Sequence, residues 1–141
     1  MEIRLPRSLD AVGEIFAPVE RFCADAGLDS RATFHLKVAA EELFTNLVRH
    51  NEGGREYVLL ELLADAEQVV VQLTDYDVEP FEIDEPDSSE LLRPLAERGE
   101  GGLGLHLVKS MVDVLNYTYD GGVLVVRAVR RRGESDVRGH A

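Results

Sequence analysis

Asp120-Gly121-Gly122 stands between two β-rich runs, VLNYTYD before it and VLVVRAVRR after it. Glycines in so short a link supply the positive φ of a tight turn, so the runs at about 114–120 and 123–131 are predicted to pair antiparallel. A second pair, at about 56–64 and 68–75, is joined by the polar turn Asp65–Glu67. Residues 2–7 (EIRLPR) alternate apolar and charged, as in a short edge strand that Pro6 stops from pairing further. Ser8 can cap a helix over 9–26, with Leu9, Val12, Ile15, Phe16, Val19, Phe22 and Cys23 at helical spacing. Gly27 ends it, and Asp29 or Ser30 caps a second helix that runs to about His50. Gly99, Gly101, Gly102 and Gly104 open a third, over 103–113. The order β-α-α-β-β-loop-α-β-β predicts an α+β fold: a two-layer sandwich with helices on one face of a mixed, mostly antiparallel sheet.

The 141 residues suit one domain, expected over 1–131, with a flexible polar tail at 132–141. Twenty-seven acids against fifteen bases give a net charge of −12, which disfavours electrostatic binding to nucleic acid. No apolar run is long enough for a membrane span, and MEIRLPR lacks a signal peptide's apolar stretch. A cytoplasmic location is therefore expected. The single cysteine, Cys23, allows no internal disulfide and reads as a small core residue. Residues 76–100 show no period; with Asp75 they hold ten acids, and they contain Pro80, Pro86 and Pro94. A loop of that length inside a small domain is usually functional or disordered.

Three clusters carry chemistry. On the second helix, in AAEELFTNLVRH, Glu42 and Asn46 lie four residues apart on one face, with His35, Val38, Arg49 and His50 close in angle. Leu36, Ala39, Leu43 and Leu47 form the neighbouring apolar stripe, so this carboxylate and amide border a cleft. An amide oxygen is a hard ligand suited to Mg²⁺, and a carboxylate can accept a hydroxyl proton. A solvated polar helix face is the plainer alternative. The second cluster, TDYDVEPF, puts Asp75 at a strand end, where it can accept a hydrogen bond from an exocyclic amine, beside the apolar Pro80-Phe81; otherwise it is an acidic turn. The third, GEGGLGLHLVKSM, runs glycines into a helix start, where backbone N–H groups and the helix dipole hold phosphate. Leu105-His106 replace the Lys and Ser/Thr of a Walker loop. Gly99-x-Gly101-x-x-Gly104 also matches a dinucleotide fingerprint, which leaves an oxidoreductase fragment as a remote alternative. LLRPLAER, however, is not the buried strand that such a motif must follow. The histidines give no metal signal: His35 and His50 are about 22 Å apart on one helix.

Together and in this order, the clusters resemble those of the Bergerat-fold (GHKL) ATPases, with EELFTNLVRH as the N box, DYDVEPF as the first glycine box and GEGGLGLHLVKSMVD as the second. Small size and the Thr45-Asn46 pair, with His50 four residues after Asn46, are most similar to the bacterial anti-sigma factor/serine-protein kinases. The resemblance covers about residues 5–130. It implies an ATP–Mg²⁺ kinase with Glu42 as general base, Asn46 as Mg²⁺ ligand, and Arg49 and His50 facing phosphates or ribose. It further implies that Asp75 reads adenine, with Asp77 beside it. Gly101, Gly102, Leu103, Gly104 and Leu105 would form the phosphate loop and hinge, and 82–100 the lid. The partners implied are a small anti-anti-sigma (STAS-type) protein as phospho-acceptor, a sigma factor, and a second copy in a homodimer. Two positions depart from the pattern. Asp77 stands where the family has Gly, and its charge is expected to oppose phosphate; DGGVLVV lacks the Thr of the third box. A non-catalytic interaction module of the same fold is the alternative.

Overall fold

Both predicted hairpins form. The computed structural model describes residues 1–50, 54–79 and 102–133, and of residues 102–105 the backbone alone. Strands β2 (Tyr57–Ala64) and β3 (Gln68–Asp75) are joined through Asp65, whose Oδ1 accepts from the backbone N–H of Glu67 at 2.7 Å and of Gln68 at 2.9 Å. Those two bonds hold the Asp65 carboxyl below its ordinary pKa. Strands β4 (Val114–Asp120) and β5 (Val123–Arg131) turn at Gly121 and Gly122, whose φ values of 57° and 84° side chains rarely adopt.

The hairpins join through β3 and β5, in register from Gln68↔Arg131 to Asp75↔Leu124. With β1 (Glu2–Pro6) on the outer edge of β2, the sheet order is β1-β2-β3-β5-β4, and all four pairings are antiparallel. The expectation of a mostly antiparallel sheet is met. The dinucleotide-fold alternative is overturned, because β4 turns straight back into β5 where a doubly wound sheet needs a parallel crossover.

The single helix expected over 9–26 is instead two pieces. A 3-10 helix, Leu9–Glu14, is capped by Ser8 Oγ, and α1 begins at Phe16 and runs to Asp25. Pro18 explains the break: it has no N–H for the Glu14 carbonyl, so it is tolerated only in a first turn. The apolar stripe continues across the break, with Ile15, Val19 and Cys23 all buried.

The helix α2, Ser30–His50, organises the second layer. Asp29 is its cap, with Oδ1 accepting from Ala32 N–H at 2.9 Å, while Thr33 Oγ1 donates to the Asp29 carbonyl at 2.8 Å. Leu36, Ala39, Ala40, Leu43, Phe44 and Leu47 share one core with Val58, Leu60 and Leu62 of β2, Val71 and Leu73 of β3, and Leu124 and Val126 of β5. At about 1.5–3 kcal/mol for each large apolar side chain buried, this face supplies most of what holds the layers together. Helix α3 (Gly102–Met111) packs beside α2 and adds Val108 to the same core. Arg132, the first residue beyond β5, donates to the carbonyls of Asp65 at 2.9 Å and Ala26 at 2.6 Å. Residues 134–141 lie outside the described residues.

Leu36→Ala is expected to destabilise the fold by about 2–5 kcal/mol, and Asp29→Ala by about 1 kcal/mol, through loss of core volume and of the cap respectively. Urea unfolding of the three proteins checks both. Comparable midpoints for wild type and Leu36→Ala would contradict the α2-centred core.

Candidate functional site

One end of the sheet gathers four stretches of chain. Strand β3 leaves at Asp75, and the next residues close back on the start of β2: Gly54 N–H donates to the Asp77 carbonyl at 2.9 Å and Arg55 N–H to that of Tyr76 at 3.2 Å. The β4–β5 turn meets them from the other side, with Val78 N–H donating to the Gly122 carbonyl at 3.0 Å and Tyr119 Oη to that of Val78 at 2.9 Å. The fourth stretch is the end of β1, which brings Arg7.

Asp75 is a carboxylate with no exposed surface. It follows Leu73 on the core face of β3, so the alternation that buries the strand buries it too. A buried carboxylate stays charged only with a partner, and Arg7 Nη2 supplies one. The guanidinium is held by a second anchor, Nε donating to the Arg55 carbonyl at 2.8 Å, and it crosses directly over Gly54. Arg7 Nη1 is buried with no hydrogen-bond partner among the described residues, and burial lowers the Arg7 pKa from its ordinary value.

Asp77 sits at φ 58°, the left-handed conformation in which Asp is one of the few tolerated non-glycine residues. The charge expected to oppose phosphate is matched locally: Arg55 Nε donates to Asp77 Oδ2 at 2.8 Å. The same guanidinium lies 4.7 Å from the Tyr76 ring centroid, and its Nη1 donates to Tyr57 Oη at 3.3 Å. The Asp77 hydrogen bond is the first cause raising the Arg55 pKa.

The other predicted residues lie on the helices. Glu42 and Asn46 are half-buried on α2, one turn apart, beside the fully buried Leu43 and Leu47. Both thus border the buried stripe of α2, the helix that packs against β3. Arg49 and His50 are exposed in the last turn. Glu41 next door has its pKa raised, first by burial and further by Glu42, with Lys37 opposing. Gly102, Leu103, Gly104 and Leu105 form the first turn of α3, so the glycine-rich run opens a helix as expected. Gly101 and the expected lid at 82–100 lie outside the described residues. His35 does not join this face's polar group: its Nδ1 is 2.8 Å from Arg130 Nη1. No group of three His, Cys, Asp or Glu among the described residues is placed to hold a metal ion. Arg7 and Arg55 were not expected at this site; neither belongs to a motif, and Arg7 is 68 positions from Asp75.

Histidine kinase-like ATPase domains match residues 5–130 of this chain. The chain belongs to the histidine kinase-like ATPase family. Among its relatives is a serine-protein kinase RsbW of Halalkalibacterium halodurans, 28% identical over 145 residues, with 98% of this chain and 88% of the relative covered. The serine-protein kinase RsbW of Listeria monocytogenes is 32% identical over 114 residues, covering 72% and 68%. The crystal structure of the RsbU and RsbW domains of a Mycobacterium tuberculosis protein superposes with a TM-score of 0.67 at 14% identity, over 93% of this chain and 31% of that one, a likeness of fold. The fold and kinship expected from the three boxes are thus met. No described helix of this family member is long and apolar enough to cross a membrane.

Gly54→Ala tests the backbone turn over which Arg7 passes. A methyl there would lie 2.6 Å from Arg7 Cζ and 2.9 Å from Nε, on a backbone at φ 91°. Strain of that kind predicts a loss of about 1–3 kcal/mol, whereas Gly13→Ala, with nothing within 4 Å, stays within about 0.5 kcal/mol of wild type. Thermal denaturation of the two variants makes the comparison.

Proposed function

We propose that this protein is an ATP-dependent serine/threonine protein kinase of the anti-sigma type, passing the γ-phosphoryl group of ATP to a hydroxyl on a small anti-anti-sigma (STAS-type) domain. The observation that carries the reading is the half-buried Glu42–Asn46 pair on α2, in a chain that aligns over 98% of its length with a serine-protein kinase. The donor set fits Mg²⁺: one amide oxygen, with no protein cage among the described residues, suits an ion that takes its remaining ligands from phosphates and water. When bound with nucleotide, Mg²⁺ supplies neutralisation of phosphate charge.

In this reading Asn46 Oδ1 is the protein's ligand to the ion, and Arg49 and His50, exposed just beyond it, face the phosphates or ribose. The first turn of α3 offers backbone N–H groups and the positive end of a helix dipole to the phosphate chain. Asp75 accepts from the adenine amine. Glu42 takes the proton of the attacking hydroxyl as the new P–O bond forms and the bond to the ADP oxygen breaks. The rest of the rate comes from positioning and charge stabilisation. The domain over 1–131, the lid over 82–100, a homodimer and a sigma factor as second partner belong to the same proposal, as does a cytoplasmic location. A second reading, a non-catalytic module of the same fold, is favoured by one observation: Arg7 already holds Asp75.

Thermal unfolding separates the two readings. Millimolar Mg²⁺-ATP is expected to raise the melting temperature of wild type but not of Asn46→Ala, because a ligand that binds only the native state stabilises by mass action. An unmoved wild-type transition would favour the module.

Glu42→Gln is expected to keep nucleotide binding and to slow phosphoryl transfer by about 10²–10⁴-fold, since a base acts in the transition state more than in the ground state. Radiolabelled transfer to a cognate acceptor domain provides the measurement. Equal rates for the two proteins would remove Glu42 from the mechanism.

A further inference from the structure

The Arg7–Asp75 pair is asymmetric. Asp75 has no exposed side-chain surface, whereas the Arg7 side chain keeps 16% of its own. A molecule that takes over the Asp75 contact made by Arg7 Nη2 must displace the guanidinium, and of the two partners Arg7 is the one with a way out to solvent. The pair is also incomplete. A guanidinium can present two parallel N–H groups to a carboxylate, yet here Nη2 makes the contact and Nη1 is buried with no hydrogen-bond partner among the described residues. A buried donor in that condition is penalised in place and regains its hydrogen bonds in water. Arg7 arrives from β1, two strands from β3 in the sheet, over a floor kept open by Gly54. The guanidinium supplies planar N–H donors to Asp75, as the exocyclic amine of an aminopurine would.

We propose that Arg7 is an internal competitor for the base: it occupies the carboxylate that would read a 6-aminopurine, and nucleotide binds only as Asp75 passes from Arg7 to the base. The inference rests on the ATP reading of Asp75 given above. It makes Arg7 a determinant of affinity and of base choice. The apparent affinity is the intrinsic affinity multiplied by the fraction of molecules in which Arg7 has swung away. A minor state populated at 0.1–10%, an ordinary range, weakens binding by about 10- to 1,000-fold. A purine with a carbonyl in place of the amine has no donor for the vacated carboxylate, so it gains nothing by displacing Arg7.

The test compares Mg²⁺-ATP and Mg²⁺-GTP binding by wild type, Arg7→Ala and Arg7→Gln, measured by calorimetry. Gln keeps a neutral donor near Asp75, which guards against a variant that fails to fold around an uncompensated carboxylate. In parallel, the Nε–H resonance of Arg7 in wild type, assigned by its absence from the Arg7→Gln spectrum, is followed through an ATP titration. The expected result is ATP binding at least tenfold tighter in the folded variants than in wild type, no comparable gain for GTP, and an Arg7 Nε–H signal that loses its protection at saturation. Wild type and variants binding ATP equally, or an Arg7 signal unmoved at saturating ATP, would overturn the competitor while leaving the nucleotide site standing. Wild type preferring GTP to ATP would also overturn it, since Arg7 would then be staying to donate to the base carbonyl. If none of the proteins binds either nucleotide at millimolar concentration, the ATP reading falls and takes the competitor with it.

Discussion

A 21-residue helix laid across one face of an antiparallel sheet is the constraint on which the rest of this molecule depends. The apolar face of α2 is buried against β2, β3 and β5 together, so the two hairpins cannot separate without exposing it. The same packing decides where polar groups go. Residues bordering the stripe, Glu42 and Asn46, are left half-buried at its margin. The last inward position of β3, where the helix layer still covers the sheet, falls on Asp75. Burial of a carboxylate there follows from strand alternation, and Arg7 supplies it with an oppositely charged partner.

Much of this was legible in the sequence, for identifiable reasons. Strands and turns announced themselves through β-rich runs and through Gly121-Gly122, because backbone conformations at positive φ leave a compositional trace. The i, i+4 spacing of Glu42 and Asn46 beside Leu43 and Leu47 put them on a helix margin, since helical geometry is local. The break after Glu14 was hidden because the apolar stripe runs on through both pieces; the deciding residue was Pro18, whose missing N–H matters only once the helix start is set. Arg7 left no trace. A side chain that crosses a strand to meet a residue 68 positions away follows from tertiary packing, and neither periodicity nor motif encodes it.

The net charge of −12 describes the chain and not the candidate site. At the sheet end two acids meet two arginines, Asp75 with Arg7 and Asp77 with Arg55. Seen from about 10 Å, an opposite pair separated by roughly 3 Å exerts about a quarter or less of the field energy of either charge alone, by the difference of two Coulomb interactions. Solvent exposure and salt reduce the remainder further. Asp77 therefore does little by charge to an anion about 10 Å away while Arg55 holds it. Its distinctive contribution is conformational: at φ 58° it makes the turn for which the family pattern uses glycine, and its backbone carbonyl receives Gly54 N–H. That bond holds the loop carrying Gly54 close to the strand end, and so fixes the floor over which Arg7 passes. The aspartate in a glycine position and the arginine on a buried carboxylate are thereby parts of one arrangement. A glycine at position 77 could make the same turn but would leave Arg55 without the carboxylate that orients it, and the Arg55 carbonyl is the anchor that receives Arg7 Nε–H. Position 77 acts on the site through the backbone that positions Arg7.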